Sequence, residues 1–155
     1  MRFIWIKLAL GLFRADLAVK REIEVNPKLD CDYMFCNDRV RLTRFYNYGT
    51  AGSRFKGHMP AIIRCSGLMT FGCAGMLLRL LCKKGCTMQK LGFSLMSGGA
   101  LSNLYDRCKR GYVVDYISFR TPWKWLSSVV FNLSDFLIFT GAVFICLGQT
   151  DHIQR

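Results

Sequence analysis

The sequence predicts a membrane protein of the all-α class with a small β element: apolar helices, the second and fourth of them long enough to cross a membrane, plus a polar segment containing a strand. Three observations predict it. Of 155 residues, 52% are apolar and only 21% charged, which fits an ordinary soluble enzyme poorly and a disordered tail not at all. The apolar residues gather in four stretches, at 3–19, 61–82, 88–105 and 129–147. Between the first two lies a long polar segment, Lys20–Met59, with charges of both signs and many aromatics.

The first stretch is broken by Lys7, Arg14 and Asp16. Its basic start and short apolar core are those of a leader peptide. Arg14-Ala15-Asp16, however, puts charge where a cleavage site needs small uncharged residues, so a retained helix is expected. In the polar segment, Arg39–Phe45 alternates polar and apolar residues as a half-buried strand does, and Asn47-Tyr48-Gly49 reads as a turn. The second stretch reaches the ~20 residues a membrane crossing needs, with Arg64 and Arg79 placed near its ends to snorkel. The third is shorter and rich in Gly and Ser. Between it and the fourth, Lys109–Ser128 is basic and aromatic, and Trp123 and Trp125 flank Lys124 in the manner of a membrane–water boundary. No internal repeat divides the chain, so residues 1–155 read as one domain.

Charge and cysteine content narrow the function. The net charge is +12, but the basic residues are scattered among spans and loops, so nucleic acid is not an expected partner. Eight Cys are present without a C-x-x-C, and the only His are His58 and His152. No metal site is expected from that pattern, and most of the Cys read as reduced, small apolar filler, Cys65, Cys73, Cys82 and Cys146 lying in or at the ends of apolar runs. Counting Lys and Arg alone places Lys20–Met59 in the cytoplasm.

Ionisable residues in or beside a span call for a partner or a function. They concentrate in Ser97–Arg107, continuing through Gly111–Tyr116, and in Phe131–Asp135. Ser94, Gly98 and Ser102 recur every four residues, a small-residue helix face that admits a close neighbour. Gly99, Asn103 and Arg107 form the adjacent face, and Asn103 and Asp106 point to nearly the same side. For Asp106 and Arg107 the favoured reading is internal bracing, Asp106 with Arg107 or with Asn103. Strand alternation puts Val113, Asp115 and Ile117 on one face, leaving a carboxylate among apolar residues. Asp135 lies about one turn inside the fourth stretch. It is either an acid–base group or a helix N-terminal carboxylate favoured by the dipole, with Asn132 as the N-cap. The parity of the crossings places Asp115 and the start of the fourth stretch at the same membrane face. Two adjacent carboxyls cannot both ionise cheaply, so one holds a proton to donate while the other takes one from water. That is aspartic peptidase chemistry, and no Ser–His or Cys–His pair competes with it.

Gly98-Gly99-Ala100-Leu101-Ser102-Asn103-Leu104-Tyr105-Asp106-Arg107, then Gly111-Tyr112-Val113-Val114-Asp115-Tyr116, then Phe131-Asn132-Leu133-Ser134-Asp135 together resemble the lipoprotein signal peptidases (signal peptidase II). Asp16-Leu17-Ala18-Val19-Lys20 is similar to that family's D-x-x-x-K, and Asn47-Tyr48-Gly49 to its N-x-G. The resemblance implies a four-helix membrane aspartic peptidase that removes signal peptides from diacylglyceryl-modified prolipoproteins. It implies no metal or organic cofactor, and a monomer whose partners are those lipidated signal peptides and membrane lipids. Asp115 and Asp135 fall on the catalytic positions. Asn103, Asp106, Arg107 and Asn132 fall on supporting positions, and Asp16, Lys20, Asn47 and Gly49 on positions beside the site. The active site is then on the extracytoplasmic face of the cytoplasmic membrane, with both termini inside, which overrides the charge count. A lateral cleft flanked by Asn47–Phe55 and Trp123–Trp125 is expected. The chain departs from the family pattern at Ser102, where Gly is usual, at Ser134, where Ala is usual, and in the basic stretch Thr50–Lys56. That basic segment motivates a competing reading, a non-catalytic membrane binding protein on the same scaffold.

Overall fold

The computed structural model describes residues 3–27, 33–50 and 57–153. Four long helices carry the chain: α1 (Ile4–Val25), α2 (Met59–Leu81), α3 (Thr87–Lys109) and α5 (Leu133–Ile153). Strands β1 (Tyr33–Phe35) and β2 (Val40–Asn47) follow α1. Strand β3 (Val113–Phe119), the single-turn α4 (Lys124–Ser127) and β4 (Val130–Phe131) lie between α3 and α5. The strands form one antiparallel sheet in the order β1-β2-β3-β4. The expected class, helices with a small β element, is therefore what the structure shows. The strand expected at Arg39–Phe45 is β2, and the Asn47 turn follows it.

Helix α3 is central and packs against α1, α2 and α5. Its contact with α5 is made by glycine. A Cβ built on Gly92 meets the Gly141 carbonyl oxygen at 2.6 Å, and one on Gly141 meets the Gly92 oxygen at 2.6 Å. The two backbones touch there, which only small residues permit. On the α1 side, a Cβ on Gly98 meets the Ala9 oxygen at 2.7 Å, so the small-residue face through Gly98 and Ser102 does admit its neighbour. Gly141→Leu should force α3 and α5 apart, lowering stability by about 1–3 kcal/mol or more. Gly72→Leu, on an exposed position with nothing within 4 Å, should change little. Thermal unfolding of the two variants in micelles checks this.

Burial is inverted relative to a water-soluble bundle. Leu68, Met69, Phe71, Phe139, Val143 and Leu147 are exposed, whereas Asp16, Lys20, Ser94, Ser102, Asp106, Asn132 and Ser134 are fully enclosed. Among the described residues α2 alone is both long and apolar enough to cross a membrane by length and composition. Enclosed polar residues lower the apolar character of α1 and α3.

Two local features aim the sheet at the helix ends. Helix α3 stops at Arg110, and Gly111 follows with φ +76°, a left-handed position that favours glycine and turns the chain into β3. Strand β2 is bulged against β3 between Leu42 and Phe45, past which Phe45 pairs with Asp115 and Asn47 with Val113. Bulges re-aim side chains, and this one lies beside the acidic residue of β3. Ile23 of α1 packs with Val114 and Tyr116 of β3, flanked by Leu42 and Leu133, and this small core ties the sheet to α1 and α5.

The helix limits differ from the apolar stretches at several ends: α3 continues past 105 to Lys109 and α5 past 147 to Ile153. Helix α1 runs past Val19 to Val25, because Lys20 and Ile23 are buried by partners distant in sequence. Residues 129–132 are not helical: they hold β4 and the residue before α5. Phe55 and the rest of the basic stretch at 51–56 lie outside the described residues.

Candidate active site

Asp115 on β3 and Asp135 in the first turn of α5 line one cavity of about 110 Å³, together with Asn47, Asn103, Arg107 and Asn132. Val113, Val129, Val130, Phe131 and Phe139 complete the wall. Trp123 and Trp125 are not among the lining residues. Residues 129–131 line it instead, while Trp123, just before α4, and Trp125, within it, are 63% and 66% exposed.

Three asparagines present amide hydrogens to the two carboxylates. Asn47 Nδ2 donates to Asp115 Oδ2 at 2.9 Å, and Asn132 Nδ2 donates to Asp115 Oδ1 at 2.6 Å. Asn103 Nδ2 donates to Asp135 Oδ1 at 3.1 Å. Each amide is oriented by its other end. Asn47 Oδ1 accepts from Gly49 N at 3.0 Å, closing the turn. Asn132 Oδ1 accepts from Asp135 N at 3.1 Å. Asn103 Oδ1 accepts from Lys20 Nζ at 2.8 Å and from Asn132 Nδ2 at 3.2 Å. An ammonium can only donate, so Lys20 fixes which way the Asn103 amide faces.

Asp135 is also part of a helix cap. Its Oδ2 accepts from Asn132 N at 3.0 Å while its own N donates to Asn132 Oδ1, a reciprocal capping box. The next two N–H groups of α5 are met from outside: Leu133 N donates to Tyr116 Oη at 3.1 Å, and Ser134 N to Asp16 Oδ1 at 3.2 Å. The two readings of Asp135, cap and dyad member, are thus compatible in one geometry. The cap positions one carboxylate oxygen and leaves the other at the cavity.

Behind the cavity sits a fully buried ionic cluster. Lys20 Nζ lies 2.8 Å from Asp16 Oδ2 and 2.9 Å from Asp106 Oδ2. Asp106 is also 3.4 Å from Arg110 Nη1, which reaches Glu24 at 3.0 Å, and Tyr112 Oη donates to Glu24 at 3.2 Å. Asn103 and Asp106 do share a side, since both meet Lys20. The bracing expected between Asp106 and Arg107, or Asp106 and Asn103, is corrected: Asp106 pairs with Lys20 and Arg110. Arg107 turns instead to the cavity, where Nη1 donates to the Asn103 carbonyl at 3.4 Å and its charge acts on Asp115 and Asp135.

Burial pushes the Asp115 carboxyl up to about 7, and the nearby Asp135 charge adds to this; the amides of Asn47 and Asn132 and the charge of Lys20 work against it. Burial likewise raises Tyr116, which keeps its hydroxyl intact as the acceptor for Leu133 N. Asp115 therefore carries a proton in a substantial fraction of molecules near neutral pH.

All ten candidate residues come together at this end of the molecule, Gly49 through its backbone. Reading the sequence missed Tyr116, Glu24, Arg110, and the two serines that meet Asp16: Ser102 Oγ and Ser134 Oγ both donate to Asp16 Oδ2. The signal for the serines was present, since they are the two small-residue departures from the family motif.

The fold and sequence have known counterparts. A family model described as signal peptidase (SPase) II matches residues 8–150. A lipoprotein signal peptidase of Pseudomonas aeruginosa is 32% identical over 156 residues, covering 95% of this chain and 82% of that protein. One of Lactiplantibacillus plantarum is 28% identical, covering 94% and 93%. A more local match, to the lipoprotein signal peptidase of Clostridioides difficile, is 45% identical over 58 residues, 37% of this chain and 36% of that protein. A solved structure described as a bacterial membrane enzyme superposes with a TM-score of 0.79 at 21% identity, covering 96% of this chain and 88% of that one. The superposition establishes the fold, and the match over most of the sequence establishes the lineage: this chain belongs to the signal peptidase II family of aspartic peptidases.

Proposed function

We propose that the protein removes signal peptides from diacylglyceryl-modified prolipoproteins, with Asp115 and Asp135 as the catalytic dyad. The observation that carries this reading is the shared cavity, where two carboxylates are joined through Asn132 and Asn103 by hydrogen bonds. The pair holds one proton between two buried acids. A water molecule between them loses a proton to the ionised Asp135 as its oxygen bonds to the scissile carbonyl carbon. Asp115 gives its proton to the carbonyl oxygen. The tetrahedral diol then collapses: the C–N bond breaks, Asp135 passes its proton to the departing amine of the lipidated Cys, one diol hydroxyl returns a proton to Asp115, and the signal peptide leaves with a carboxyl end. Arg107 supplies positive charge at the cavity while this happens.

Four membrane crossings by α1, α2, α3 and α5 go with this reading. The C-terminal ends of α1 and α3, the N-terminal end of α5 and the sheet gather at one end, which is the extracytoplasmic one, with both termini in the cytoplasm. A monomer in the cytoplasmic membrane contains every residue the reaction needs. Phe139 lines the cavity and is 63% exposed on the outside of α5, which supports a cavity that opens sideways to lipid.

Lipid dependence tests the substrate class. Purified protein in micelles should cleave a diacylglyceryl-modified precursor, and the same precursor with a bare Cys should react at least about tenfold more slowly, because remote binding energy is used at the reacting bond. Equal rates would refute lipid recognition. No turnover at any pH, with the fold intact, would favour the non-catalytic membrane binding protein.

A further inference from the structure

We infer that Ser102 and Ser134 are positioning residues for the dyad, acting through Asp16; the inference rests on the peptidase reading above. Ser102 is on α3 and Ser134 on α5, yet both hydroxyls donate to the same oxygen, Asp16 Oδ2, which belongs to α1. All three residues are fully buried. The direction of these bonds is fixed. Lys20 Nζ, 3.3 Å from Ser102 Oγ, can only donate to it, so the hydroxyl hydrogen of Ser102 goes to the carboxylate. Ser134 adds its backbone N–H to the other oxygen, Asp16 Oδ1.

Asp16 is thus held by both α3 and α5. What it controls is one contact further on. Its Oδ2 meets Lys20 Nζ, and Lys20 Nζ meets Asn103 Oδ1, whose amide hydrogens face Asp135. Ser134 immediately precedes Asp135, and Ser102 immediately precedes Asn103. Each serine therefore anchors the backbone beside one partner of the Asn103–Asp135 hydrogen bond. Both bonds end on a single atom, which fixes the spacing of those two backbones. Without the hydroxyls, Asp16 keeps Lys20 and one N–H, and Lys20 is drawn toward the less satisfied carboxylate and away from Asn103.

The groups facing the dyad from the elements around it are Asp16 and Lys20 of α1, Asp106 and Arg107 of α3, and Tyr116 of β3. None of them is removed by Ser102→Ala or Ser134→Ala. The test uses those two variants and the double variant, as full-length protein in micelles with the lipidated precursor, followed across pH. Each single variant should lower kcat about threefold to tenfold with KM changed less than twofold, because only part of the lost hydrogen bond to a charged group reaches the dyad through Lys20 and Asn103. The double variant should fall short of the product of the two, because the bonds share one oxygen. The acid limb of the kcat profile should move to higher pH by about half a unit or more, since a loosened Asn103 amide supports the ionised dyad less well. A merely structural loss of active molecules would scale the profile without moving it. An unmoved profile, or multiplicative losses in the double variant, overturns the inference while leaving the peptidase reading in place. An unaltered protein that fails to cleave overturns both.

Discussion

Asp115→Asn and Asp135→Asn should each reduce cleavage of a lipidated precursor by roughly a hundredfold to ten-thousandfold, the range removed with a general acid or base. An amide neither takes a proton from water nor gives one to a carbonyl oxygen, so each variant deletes one half of the exchange. Stability should respond differently. The folded Asp115 carboxyl sits at about 7, above its ordinary value. A carboxyl raised on folding weakens the fold once pH exceeds its unfolded value, because the unfolded chain ionises more easily. Asn at 115 removes that cost, though it can no longer accept from both Asn47 and Asn132. The two effects oppose each other, and the unfolding temperature should stay within about 4 °C of the parent. A cleavage-competent Asp135→Asn would end the dyad assignment; an unfolded Asp115→Asn would show that the carboxylate is structural.

The same shift sets the pH dependence. Asp115 is protonated below about 7 and ionised above it. Its proposed work is to donate, so kcat/KM, which reports the free enzyme, should fall on the alkaline side of that value by about tenfold per pH unit. Activity that climbs steadily from pH 7 to 9 would reverse the assignment of acid and base.

The helices and the dyad were legible in the sequence to different degrees and for different reasons. The apolar stretches marked four helices because side chains facing outward are apolar, as at Leu68, Phe71, Phe139 and Val143. Their ends were less legible. The last turns of α1 carry Lys20 and Ile23, polar and apolar alike enclosed by residues from α3 and β3, and no local pattern announces such long-range burial. Strands β1 and β4, three and two residues long, are too short for alternation to register. At the site, Asp115 stood out as a carboxylate among valines, and Asn132 before Asp135 as a cap. The partner of Asp106 did not stand out. Helical spacing offered Asn103, and neighbourhood offered Arg107, whereas the charge that meets it is Lys20, 86 positions earlier in the chain. The two serines looked interchangeable with Gly and Ala by size, and only the fold shows that their hydroxyls converge on one carboxylate.

Lys20→Met should be the most destabilising single change in the ionic cluster. Lys20 has no exposed surface and lies within 2.9 Å of both Asp16 and Asp106. Methionine matches its length and removes only the charge and the donors. Two buried carboxylates then face each other with Arg110, on the far side of Asp106, as the remaining cation in contact. Breaking a buried pair by removing one partner costs about 3–5 kcal/mol, here because Asp16 is left with neither water nor the counter-ion it had. Cleavage should fall as well, since the acceptor end of Asn103 loses its strongest donor and the amide is free to turn away from Asp135. Adding Asp16→Asn to Lys20→Met removes one of the stranded charges. If charge is the cause, the double variant should be more stable than Lys20→Met alone, a coupling opposite in sign to independent damage. Activity need not return with stability, because Asn103 then keeps only the longer bond from Asn132 and still lacks its lysine donor. Denaturant unfolding of the two variants, read beside their cleavage rates, separates these effects. A double variant less stable than Lys20→Met would mean that Lys20 is held for shape and not for its charge.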